Sequence, residues 1–210
     1  MTPSLSAVYE EIMARAAEPP FGAAAAQLRG AFFTRTGDAS EPHPHFASRL
    51  AAAWEDALVD GGLAESVGRT LEDASERDIA QLFARGQRGL FTLGRVGEDC
   101  FLDDPFSGAA FLLVRGDPLE RSAKTTDPGF FVGRVVAADD GCTLLPGAIW
   151  LPGDATPLVP PLVEEAKRRG LASGAVLDAL LRMDHAVQAL SRVRPGFAFR
   201  STGLPLPPGT

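Results

Sequence analysis

Three histidines are the side chains of this sequence best suited to proton transfer or metal binding, and two of them stand one residue apart as His43-Pro44-His45. His-x-His ligates metals where alternate residues of a strand share a face. Here the flanking prolines make the segment a loop or a helix start, and no Asp/His partner motif lies nearby. The pair therefore reads as a solvated turn, and no metal site is assigned. The third histidine, His185, falls on the face of a C-terminal helix that also carries Asp178 and Arg182. Those two suit an i,i+4 ion pair, which places His185 at the surface.

A serine nucleophile is the other chemistry to weigh. Ser107, His185 and an aspartate would make a triad, since triads assemble from distant positions. But Ser107 sits in Phe106-Ser107-Gly108, which is turn chemistry and no Gly-x-Ser-x-Gly elbow. No Walker loop, Rossmann fingerprint or zinc-hydrolase helix is present. No catalytic residue and no cofactor is assigned. A hydrolase built around His43, His45 or Ser107 stands as an alternative.

The candidate binding residues lie in the middle of the chain. Arg95 and Arg134 precede the acidic turns Asp103-Asp104 and Asp139-Asp140, which can pair with them or bind a cation. Solvated hairpin turns are the simpler account of the same residues. Cys100 and Cys142 occupy matching places after two turns and read as buried thiols that pack as small hydrophobes.

These residues need elements to hold them. Helical spacing links Leu5, Val8, Ile12 and Ala16, then Phe21, Ala25, Leu28 and Phe32, then Phe46, Leu50, Trp54 and Leu58. A short turn follows Gly62, and Ser75 with Asp78 suggests a capping box for the next helix. From Gly89 the period changes to near two, and strands separated by Gly-, Pro- and Asp-rich turns run to about Leu145. Phe91-Thr92-Leu93-Gly94-Arg95-Val96 is matched by Phe130-Phe131-Val132-Gly133-Arg134-Val135 about 39 residues later. The repeat suggests two related hairpins burying one apolar face jointly. Helical spacing returns after Trp150, with Pro160 and Pro161 in a first turn, Gly170 as a stop and Ser173 as the next N-cap.

The expected fold is α+β. A helical region (1–88) and C-terminal helices with a tail (156–210) pack on a small antiparallel β-barrel or curled sheet (89–155) as one unit. The run from Gly94 to Val136 resembles a small β-module of uncharacterised bacterial proteins, with Asp104, Ser107, Gly108, Gly129, Arg134, Val135 and Val136 carrying the likeness. The resemblance implies strands and no transferable activity.

Composition bounds the partners. The 210 residues carry a formal charge of −7, so the chain as a whole repels phosphate backbones. Only residues 156–210 are net basic, and Lys167-Arg168-Arg169 suits a helix C-terminus. The N-terminus lacks the basic and apolar runs of a signal peptide, and no stretch is long and apolar enough to span a membrane. Arginine far outnumbers lysine, as in high-GC bacterial genomes. The expectation is a cytoplasmic, non-enzymatic binding or regulatory protein acting through a protein partner, with oligomeric state open. Nucleic-acid association through the β-unit phenylalanines and the basic C-terminal part is the alternative.

Overall fold

The helical periodicity of the first third is realised as α1 (Leu5–Ala17), α2 (Gly22–Thr36), α3 (Phe46–Leu58), α4 (Leu63–Gly68) and α5 (Ala74–Ala84). This computed structural model describes residues 4–38, 40, 43–119, 129–138, 140–189 and 193–207. Ser4 caps α1, its hydroxyl accepting from the Ala7 N–H at 3.2 Å. The cap of α5 is Asp73, not Ser75. Its carboxylate accepts from the Ser75 and Glu76 N–H groups at 2.7 and 3.1 Å. An ionised oxygen is the stronger acceptor and suits the positive end of the helix, so the helix starts before the expected box.

Six strands follow: β1 (Gln87–Val96), β2 (Asp99–Asp104), β3 (Ala109–Leu112), β4 (Phe130–Ala138), β5 (Gly141–Leu144) and β6 (Ile149–Trp150). They form one antiparallel sheet in the order β3-β2-β1-β4-β5, with β6 added to β4. The sheet curls into a half-barrel. Its two edges meet at a single parallel bridge, Leu113 to Cys142. There the Val114 N–H donates to the Cys142 carbonyl at 2.9 Å. Of the two shapes expected, the curled sheet is the one formed.

β4 is buried on both faces, and its alternation assigns each residue to a core. Phe131 and Val135 point into the hollow of the sheet with Phe91, Leu102, Cys100 and Cys142. Val132 points instead to the C-terminal helices and Val136 to the N-terminal ones. In the middle of the β1–β4 pair Gly89 faces Gly133, and Phe91 faces Phe131. A Cβ on Gly89 would lie 2.5 Å from the Phe91 ring. The glycine pair therefore leaves the room in which the rings fold over the hollow.

The two hairpins are not equivalent in register. Gly133 sits opposite Gly89, whereas Gly94 sits opposite Phe101 of β2. The repeated Phe-x-apolar-Gly-Arg-Val spelling thus occupies two different surroundings.

After β6 come a 3-10 turn (Gly153–Leu158), α6 (Val159–Arg168), α7 (Ser173–Ala189) and α8 (Pro195–Ala198). Pro160 and Pro161 sit in the first turn of α6, and Gly170 closes it with a positive φ of 65°. α7 is the spine of the C-terminal core, burying Val176, Leu177, Leu180, Leu181 and Met183 against α2, α6 and β1. α1, α3, α4 and α5 share the second core around Ile12, Leu58, Val67 and Phe83. No described helix is long and apolar enough to cross a membrane.

Candidate functional site

The sequence-based binding residues do not form one surface. Arg134 lies on the helix-facing side of β4 and is 2% exposed. Its guanidinium pairs with Asp60 at 2.5 Å and donates to the Gly86 carbonyl at 2.9 Å, pinning the helical region to the sheet. Arg134 is opposite Arg88 in the register, and Arg95 lies seven residues farther along β1. That is about 23 Å of strand. Arg95 and Asp103 are exposed. Asp104 builds its own turn, accepting from the Phe106 N–H at 2.8 Å and the Ser107 hydroxyl at 2.7 Å. Asp140 is exposed at the other hairpin, and Asp139 lies outside the described residues.

The histidines, in contrast, come together. His43 stacks on His185, with ring centroids 5.5 Å apart, and His45 is 6.0 Å from His43. His185 is therefore half-buried against the loop that follows α2, not a surface residue. Asp178 pairs with Arg35 and Arg88, at 2.9 and 2.7 Å, rather than with Arg182. Arg182 reaches the Arg35 carbonyl at 2.6 Å. The reason is burial: α7 turns this face toward α2, where cations from other elements are nearer than its own i+4 neighbour.

The result is an ionic seam between α2, α3, α7 and β1. Arg35 grips both oxygens of Asp56, at 3.0 and 2.8 Å. Arg49 is fully buried and donates to the Thr36 and Gly37 carbonyls, each at 2.7 Å, so it satisfies the orphan acceptors at the end of α2. Asp184, also fully buried, balances it at 3.7 Å. Burial pushes the Asp184 carboxyl up, against the pull of His45 and Arg49. His43 Nδ1 accepts from the His45 N–H at 3.1 Å. A protonated ring cannot make that bond. Desolvation, together with Arg49, His185 and His45, holds the His43 pKa down to about 4. The seam fixes helices; among the described residues it gathers no group of three or more ligands that could hold a metal ion.

Ser107 stands in a cleft beside Ser173 and Leu177, at the start of α7. His185 is twelve residues along that helix from Ser173, about 18 Å. Burial also raises the Cys142 thiol to about 11, which keeps it protonated and unreactive.

A different surface offers an open concavity. A groove of about 480 Å³ runs between α4 and α5. Its floor is Ala64, Gly68, Ala80 and Ala84, and its rim carries Arg69, Arg77 and Arg85 with Glu65 and Gln81. The helices cross closely because Gly68 has no side chain: a Cβ there would stand 2.8 Å from that of Ala80. Sequence reasoning missed this site. Its only trace in the sequence is small residues spaced on both short helices, with Arg77 and Arg85 two turns apart, a pattern that also describes ordinary helix packing.

Comparison with protein-family models, with curated proteins and with solved structures finds no match to this chain.

Proposed function

We propose that this chain is a non-enzymatic, cytoplasmic binding protein that acts through a protein partner, and that the partner docks in the groove between α4 and α5. The observation that carries the reading is the groove itself: a preformed concavity whose floor presents little but backbone and methyl groups and whose rim presents three arginines. Arginine is enriched where proteins meet, because its planar fork binds carboxylates and its stem packs on apolar surface. The groove also rests on the core shared by α1, α3, α4 and α5, so its walls are held in place before a partner arrives.

The alternatives have less support. Of the phenylalanines that could stack bases, Phe91 and Phe131 are buried in the hollow of the sheet, while Phe101 and Phe130 are half-buried and Phe130 packs against the C-terminal core, so the four present no common open face. Ser107 and His185 stand near opposite ends of α7, too far apart for proton transfer.

A photo-crosslinking side chain placed at Gln81, in cells that express the protein, tests the reading. A discrete protein adduct at Gln81, with none from the same probe at Asp103, is the expected result. No adduct at Gln81 would contradict it.

A further inference from the structure

We propose that the segment received by the α4–α5 groove is an acidic helix, carrying carboxylates about two turns apart on one face. This rests on the docking reading above and adds the chemistry of the partner. Arg77 and Gln81 stand at i and i+4 on α5, and Arg85, its C-cap residue, follows at i+8. At 1.5 Å per residue the two arginines are about 12 Å apart, the rise of eight residues on a docked helix. Arg69, the C-cap residue of α4, faces them across the groove.

The three guanidinium groups are in different states of commitment. Among the described residues, exposed Arg85 has no side-chain hydrogen bond or ion pair. Arg77 donates one nitrogen to the Leu71 and Glu72 carbonyls, both at 2.8 Å, which fixes its position at the rim. Arg69 pairs with Glu65 on its own helix, and both are well exposed. Such a pair exchanges readily for a better-placed carboxylate. The rim is therefore basic on a chain whose net charge is −7.

Charge also decides against a nucleic acid. Glu72, Asp73, Glu76 and Asp78 lie along the first turns of α5 and the loop before it. A polyphosphate carries charge at every repeat and meets these carboxylates wherever it passes Arg77, whereas a helix can present carboxylates to the arginines and neutral or basic side chains to Glu76 and Asp78. The small floor suits a helix too, since it admits the backbone of a second helix with alanine or glycine at the contact.

The test uses the purified full chain and three labelled probes followed by fluorescence anisotropy. The probes are an alanine-rich helical peptide with glutamates eight residues apart, its lysine counterpart, and an oligothymidylate. The glutamate peptide is expected to bind, to weaken with added salt, and to lose about tenfold in affinity on Arg85→Glu, while Arg95→Glu has no effect. Equal binding of the glutamate and lysine peptides, tighter binding of the oligonucleotide, or indifference to Arg85→Glu would overturn the proposal. The Gln81 adduct separates the two levels. If it survives Arg85→Glu undiminished, the docking reading stands and the acidic partner falls; if no adduct forms in the unaltered rim, both fall.

Discussion

His43 and His185, from the loop before α3 and from α7, lie stacked with ring planes 7° from parallel. Both rings are held below the ordinary histidine pKa, first by desolvation and then by the buried Arg49 guanidinium. Arg49 in turn closes the end of α2. One contact thus ties the loop, two helices and a buried ion pair into a single protonation-sensitive unit.

The pH dependence of that unit has a definite sign. His43 titrates near 6.5 when unfolded and at about 4 when folded. Between those values the unfolded chain binds the extra proton, so stability rises with pH from 4 to 6.5 and is lost as the solution is acidified. Replacing His43 with Asn keeps an acceptor for the His45 N–H and removes the titration. Urea unfolding of H43N across this range is expected to show a flatter profile, with about 1–3 kcal/mol less loss on acidification.

Glu55 has the opposite sign. It is 2% exposed, and burial raises its pKa to about 7, although the Gly147 N–H, Arg134 and Arg88 favour the charged form. The folded state then holds a proton that the unfolded state has lost, so this contribution falls as pH rises from 4.5 to 7. Its Oε1 accepts from the Gly147 N–H at 2.6 Å, a bond an amide oxygen can also accept. Glu55→Gln is expected to raise stability at pH 8 by about 1–3 kcal/mol relative to wild type and to leave it unchanged at pH 4. Denaturation at the two pH values checks both halves.

Arg49 and Asp184 are both fully buried, so either alone leaves an uncompensated charge. Arg49→Met is expected to cost about 3–5 kcal/mol. Adding Asp184→Leu to Arg49→Met is expected to recover part of that loss, and a double-mutant cycle measures the coupling. Recovery stays incomplete because Arg49 also satisfies the Thr36 and Gly37 carbonyls.

Two glycines of β1, one paired with β4 and one with β2, make a fourth comparison. Gly89→Ala drives a methyl into the Phe91 ring and is expected to cost about 1–3 kcal/mol. Gly94→Ala meets the end of the exposed Asp103 side chain, at 3.1 Å, and the Phe101 carbonyl oxygen at an ordinary 4.0 Å, and is expected to cost less. Thermal melts of the two variants decide whether the sites are as unlike as their register says.

The elements were legible in the sequence because each follows from local pattern. The apolar spacing of α1 to α3, the prolines at the start of α6 and the change of period near Gly89 mark elements that formed nearly where expected. The register of the hairpins was not legible. Gly94 and Gly133 share a spelling, and only the pairing of β1 with β4 separates them. The seam was hidden for a similar reason: Asp178 has a suitable partner at Arg182, and nothing local says that Arg35 and Arg88 come closer. The groove was least visible, since alanine and glycine on short helices serve packing and docking alike.

The central claim is that the α4–α5 groove is where a partner binds, and the most direct measurement is calorimetric titration of the protein trapped at Gln81 against the purified chain and its Ala84→Trp variant. The account predicts saturable binding that weakens at least about tenfold when the indole fills the groove, with the circular dichroism of the variant unchanged. Undiminished binding by that folded variant would contradict it.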